Sequence, residues 1–96
     1  MKAYLVLDLS VNDFAGFKTY IAEIPAFIAR HSGQYIVRGV TPTTIEGDWA
    51  PERLVIIEFP ERAKAQAFLD DPEAQELFKL RHATTTSKLL LVDGCT

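Results

Sequence analysis

Apolar and polar positions alternate with period two at the start of the chain, switch to a helical period, and then repeat that cycle. Ala3 to Leu9 (AYLVLDL) is rich in strand formers, and one alternate set, Leu5, Leu7 and Leu9, is purely apolar. The period then changes: Phe14, Phe17, Ile21, Ile24 and Ile28 recur at three- to four-residue spacing, a continuous stripe on one helix. Asn12 or Asp13 supplies the N-cap, Pro25 predicts a kink near residues 21–25, and Gly33 predicts a left-handed stop.

The second half repeats the cycle. Gln34 to Val40 reads as a second strand, ended by Thr41-Pro42, and Arg53 to Phe59 as a third, ended by Pro60. A long polar connection carrying the Gly47-Asp48 turn joins them. Glu61 to Leu69 is helical, Asp71-Pro72-Glu73 restarts the helix, and Ala74, Leu77, Phe78 and Arg81 continue it to about His82. Thr84 to Ser87 leads into a fourth strand, Lys88 to Val92. The order β-α-β-β-α-β with right-handed crossovers predicts a ferredoxin-like α+β sandwich. It would be one domain over residues 1–96, a four-stranded antiparallel sheet in the order 4-1-3-2 with two helices on one face.

Alternation divides the strands into two faces. Leu5, Leu7, Leu9, Val55, Ile57 and Phe59 form the set expected beneath the helices. Tyr4, Val6, Asp8, Ile36, Arg38, Leu54, Ile56 and Glu58 are assigned to the open face, which is too apolar to be left in water. A second copy of the chain is the simplest cover, so a homodimer through that face is expected. Asp8 and Glu58 fall on the two central strands, expected to run parallel, each near its strand's C-terminal end, with Arg38 between them. Such a cluster either fixes dimer register or supplies a proton acceptor beside an anion-holding arginine.

Other candidates divide in the same way. Trp49 and Arg53, bracketing Ala50-Pro51, read as a rim over a flat ligand or as a cap on the core. Arg81 either holds an anionic ligand or neutralises the negative end of its helix. His31 and His82 lack the spacing of a metal pair, so no metal site is expected. Catalytic triads, P-loops and dinucleotide-binding glycines are absent, and no cofactor is expected.

Charge and composition narrow the classes. The net charge is −3 with scattered Lys and Arg, so nucleic acid is not an expected partner. Sheets that read RNA carry exposed aromatic and basic residues, whereas the third strand offers Leu54, Ile56 and Glu58. No apolar run reaches membrane-span length, and the first is too short for a signal segment. A single cysteine, Cys95, fits a reducing compartment, and the cytoplasm is the expected location.

Several segments together resemble a known family. They are Ala3-Tyr4, Tyr20, Pro25, Gly33, Tyr35 to Gly39, Glu46-Gly47-Asp48-Trp49 with Pro51 and Arg53, Glu58-Phe59-Pro60, Arg81, and Leu91 to Gly94. The chain is similar to the domain-of-unknown-function family numbered 1330, within the dimeric α+β barrel superfamily. The resemblance implies a homodimer whose sheets face each other around a cavity, and it carries no established reaction to Arg38 or Glu58. The expected function is the binding or transformation of a small organic molecule. In that role Asp8 or Glu58 would accept a proton, Arg38 would hold an anionic group, and Trp49 would line the rim. The alternative is a non-catalytic dimeric module whose charges only set geometry.

Overall fold

The alternation that opens the chain becomes β1 (Ala3–Val11) in the computed structural model, which describes residues 1–96. Leu5, Leu7 and Leu9 are buried beneath the helices as their alternation predicts. Asp13 caps α1 (Phe14–Arg30) by accepting from Gly16 N at 3.1 Å, and the helix runs unbroken through Pro25. Its stop differs from expectation. Ser32, not Gly33, takes the left-handed conformation, with φ 65°. Gly33 N donates to Ile28 O at 2.9 Å and Ser32 N to Ala29 O at 3.0 Å, a Schellman closure. Gly33 is small for another reason: a Cβ there would lie 2.6 Å from Phe59 Cε1.

The chain returns as β2 (Gln34–Val40) and β3 (Arg53–Phe59), joined by residues 41–52. After β3 come α2 (Arg62–Asp70), a 3₁₀ turn (Pro72–Ala74) and α3 (Gln75–Thr84). The interruption follows Asp71-Pro72-Glu73, where Asp71 Oδ1 accepts from Glu73 N at 3.0 Å and proline takes the first position. β4 (Thr85–Asp93) starts at Thr85, so most of the threonine-serine run belongs to the strand.

The sheet order is β2-β3-β1-β4, with antiparallel neighbours throughout. The fold is ferredoxin-like, with the helical layer on one face. Phe59, Leu5, Leu9 and Ile24 have the largest fully buried side chains. Phe68 stands between Phe59 and Phe78, with ring centroids at 5.7 and 5.4 Å, and joins the second helical segment to the sheet.

The antiparallel pairing corrects one expectation. The two central strands do not run parallel: Tyr4 faces Glu58 and Asp8 faces Leu54. Asp8 and Glu58 are therefore four strand positions apart, about 13 Å at the usual rise. The two carboxylates do not form a pair.

Candidate functional site

β2 carries two irregularities against β3. Tyr35 faces Ile57 and Val37 faces Ile56, so Ile36 is an extra residue; Arg38 faces Val55 and Val40 faces Leu54, so Gly39 is a second. Gly39 has φ +74°, a conformation glycine adopts without strain. Each bulge shifts the alternation by one position. Tyr35 and Arg38 consequently share the helix side of the sheet with Ile57 and Val55. Arg38 does not lie on the open face with Asp8 and Glu58, which corrects the expected three-charge cluster.

That shift builds a groove between α1 and the β2–β3 half of the sheet, with a cavity of about 270 Å³. Phe17, Tyr20, Ile21 and Ile24 form the α1 wall, Leu7, Leu9, Val55 and Ile57 the floor, and Tyr35 and Arg38 the opposite side. Arg53 reaches the same groove from the start of β3, opposite Leu9. The Arg38 guanidinium lies 4.4 Å from the Tyr35 ring centroid, and the Arg53 guanidinium lies 5.5 Å from that of Phe14. Neither arginine has a carboxylate partner; the ion pairs of the chain use Lys2, Arg30, His31, Arg62 and Lys79. An apolar floor beneath two cations free of carboxylates favours an anion with an apolar body.

Two phenols complete the groove. Burial pushes the Tyr35 hydroxyl up to about 12, the nearby Tyr20 adds to that rise, and Arg38 opposes it. Tyr35 is thus a neutral hydrogen-bond donor over the whole physiological range. Tyr20 packs its ring on Phe17 with centroids 5.2 Å apart, and its Oη accepts from Arg81 Nη1 at 3.3 Å. Arg81 is only 6% exposed, so it does not reach solvent from the end of its helix. Its Nη2 donates to His82 Nε2 at 3.3 Å, and its Nε has no partner.

The remaining candidates lie on the other face or beside it. Trp49 Nε1 donates to Asp8 Oδ2 at 2.8 Å, tying the 41–52 connection to the end of β1. Thr44 Oγ1 to Trp49 O at 2.9 Å and Thr41 Oγ1 to Glu52 O at 2.7 Å brace the same segment. Glu58 pairs with Lys2 Nζ at 3.2 Å and accepts from Gln34 Nε2 at 3.4 Å. Trp49 is 58% exposed and does not border the groove. The open face around these groups leaves Leu90, Val92, Val40 and Ile36 exposed.

By sequence, Tyr20 and Tyr35 carry the family resemblance but no assigned chemistry. Tyr20 falls within the apolar stripe of α1 and reads as core, and Tyr35 reads as an ordinary strand residue. The usable signal was Arg81, a cation on a helix otherwise anchored by Leu77 and Phe78, with no acid placed to pair with it. No group of His, Cys, Asp and Glu is placed to hold a metal, and no helix is long and apolar enough to cross a membrane.

Residues 2–95 match the family described as Domain of unknown function (DUF1330). No curated protein sequence matches the chain. Among solved structures, a protein of unknown function from Rhodopseudomonas palustris superposes with TM-score 0.80 at 17% identity, covering 99% of this chain and 83% of its own. A dimeric ferredoxin-like protein of unknown function from Jannaschia sp. CCS1 gives 0.74 at 12% identity, covering 98% and 100%. SnoaB, a cofactor-independent oxygenase from Streptomyces nogalater, gives 0.67 at 20% identity, covering 99% and 94%. At these identities the structural likeness extends to the fold alone.

Proposed function

The chain belongs to the DUF1330 family, and from its groove we propose that it is a cytoplasmic homodimer binding a small apolar organic anion between α1 and the sheet. The observation that carries this reading is the pair Arg38 and Arg53, two guanidiniums without carboxylate partners beside a cavity floored by Leu7, Leu9, Val55 and Ile57. The apolar body of the ligand would displace water from that floor, and the arginines would take its charged group. The size of the groove suits a compact molecule of about one or two fused rings rather than a long acyl chain.

The homodimer reading rests on the open face. Leu90 is 62% exposed and Val40 58%, and both lie on the side of the sheet that no helix covers. Burying them against a second copy removes apolar surface from water, and the Jannaschia neighbour of the same fold is dimeric. Asp8 and Glu58, each already engaged within its own chain by Trp49 and Lys2, fit the other role considered for them, charges that hold the geometry of this face.

The test is calorimetric titration with 2-naphthoate, an apolar aromatic carboxylate. We expect saturable binding of one molecule per chain, weakened about tenfold by the double substitution Arg38→Gln/Arg53→Gln and unchanged in Glu58→Gln. Binding that is indifferent to both arginines, or no binding, overturns the proposal. Sedimentation tests the assembly separately: a dimer is expected, with Leu90→Lys shifting it toward monomer.

A further inference from the structure

We infer that Tyr20, backed by the buried Arg81, is the fixed hydrogen-bond donor of the groove, so that the ligand carries an oxygen acceptor remote from its anionic group. This inference rests on the groove reading above and narrows it to a substituted aromatic or alicyclic acid with a hydroxyl or carbonyl oxygen.

A cation such as Arg81, at 6% exposure without a carboxylate partner, is costly, because burial strips water from the charge and nothing negative replaces it. Its polar contacts are His82 Nε2 and Tyr20 Oη, each at 3.3 Å, and the rings of Phe78 and Tyr20 flank it at 5.5 and 5.9 Å. An arginine can only donate, so its bond to Tyr20 occupies an acceptor lone pair of the phenol. The proton of Tyr20 is left for another partner, and no group of the chain accepts it.

Tyr20 is itself 7% exposed and lines the groove. A buried donor without an acceptor is destabilising unless a ligand or water supplies one, and the groove is the space from which that acceptor would come. The positive field of Arg81 behind the phenol favours an oxygen bearing partial negative charge. Arg38 and Arg53 stand on the β2–β3 side and Arg81 on the α3 side of Tyr20. The site therefore presents positive charge to both ends of a bound molecule, one end taken by guanidiniums directly and the other through a phenol. A plain hydrocarbon acid would satisfy the first and leave Tyr20 unpaired.

Calorimetry on the full chain with 2-naphthoate and 6-hydroxy-2-naphthoate tests this. The two probes share the carboxylate and ring system and differ by one distal oxygen. Wild-type protein is expected to prefer the hydroxylated acid by about tenfold, the effect of one hydrogen bond to an otherwise unpaired buried group. Tyr20→Phe should abolish the preference while 2-naphthoate still binds, and Arg81→Lys, which keeps a donor and charge, should retain part of it. Equal binding of both acids by the wild-type chain overturns the inference and leaves the groove reading standing. Failure of both acids to bind overturns the groove reading and this one with it. The wild-type comparison decides the matter even where a variant does not fold.

Discussion

Arg38 faces Val55 across β2 and β3, which sets its guanidinium on the helix side of the sheet, 4.4 Å from the ring of Tyr35. Simple alternation from Ile36 would have sent it to the opposite face. The bulges in β2 thus decide whether Arg38 joins Arg53 beside the groove, and Gly39 is the residue whose backbone makes the second one possible.

A side chain at Gly39 is expected to strain that bulge without any clash. Its φ is +74° and no atom lies within 4 Å of where a Cβ would stand. Gly39→Val should therefore destabilise by about 1–2 kcal/mol, the cost of a β-branched residue in the left-handed region. Urea denaturation would show a lower midpoint at unchanged slope. A neutral result would mean that the bulge relaxes into another conformation, and naphthoate affinity would then report whether Arg38 has left the groove.

Trp49 and Asp8 form a second relationship open to measurement. Their 2.8 Å bond crosses from the 41–52 connection to the end of β1 and joins a neutral donor to a carboxylate. A double-mutant cycle with Trp49→Phe and Asp8→Asn should give a coupling of about 1 kcal/mol, reduced from a fully buried charged bond because the tryptophan is largely exposed. Trp49 is the single tryptophan, so its emission follows this segment directly. Asp8→Asn should shift that emission toward the solvated indole, while Glu58→Gln leaves it unchanged.

The elements were legible because burial imposes a period. Leu5, Leu7 and Leu9 can only be an inward strand face, and Phe17, Ile24 and Ile28 only the buried stripe of a helix. What alternation does not carry is a change of phase within a strand. Ile36 is a good strand former, and nothing local marks it as the extra residue, so alternation counted from either end of β2 sends Arg38 to the open face, while Tyr35 falls on its observed side. A glycine after a helix suggests a left-handed stop at Gly33, whereas the positive φ belongs to Ser32 and the glycine makes room for the Phe59 ring. Asp8 and Glu58 drew attention as acids inside apolar strands. Their partners, Trp49 and Lys2, come from a distant connection and from the chain's start, and neither is visible from strand periodicity.

Asp71 joins the end of α1 to the restart of the second helical segment and should make the fold sensitive to acid. The His31 Nε2 contact at 2.8 Å holds its carboxyl below the usual carboxylate range, burial works against this, and Glu73 N and Arg30 reinforce it. Because the folded value is depressed, the stabilisation is present above the unfolded value, near ~4, and is lost as pH falls through the folded one. Thermal unfolding between neutral pH and acid should show a falling midpoint below about pH 4. In Asp71→Asn the midpoint should be lower by several degrees at neutral pH and its acid dependence shallower. An unchanged acid limb would remove Asp71 from this role.

Tyr35 makes the opposite demand at alkaline pH. Burial first, and then the neighbouring Tyr20, push its hydroxyl up to about 12, with Arg38 opposing them. The unfolded chain ionises this phenol near ~10, so between that value and the folded one the unfolded state has lost a proton that the native state keeps. The contribution of Tyr35 to stability should accordingly be level below about pH 10 and decline above it. Absorbance at the tyrosinate band would show a late phase with its midpoint at about 12, present in the native chain and missing from Tyr35→Phe. Arg38→Gln should move that phase higher still, because it removes the one charge that favours the phenolate. A late phase that survives Tyr35→Phe would assign it to another tyrosine, and an Arg38→Gln variant without effect would place the guanidinium away from the Tyr35 ring and from the groove.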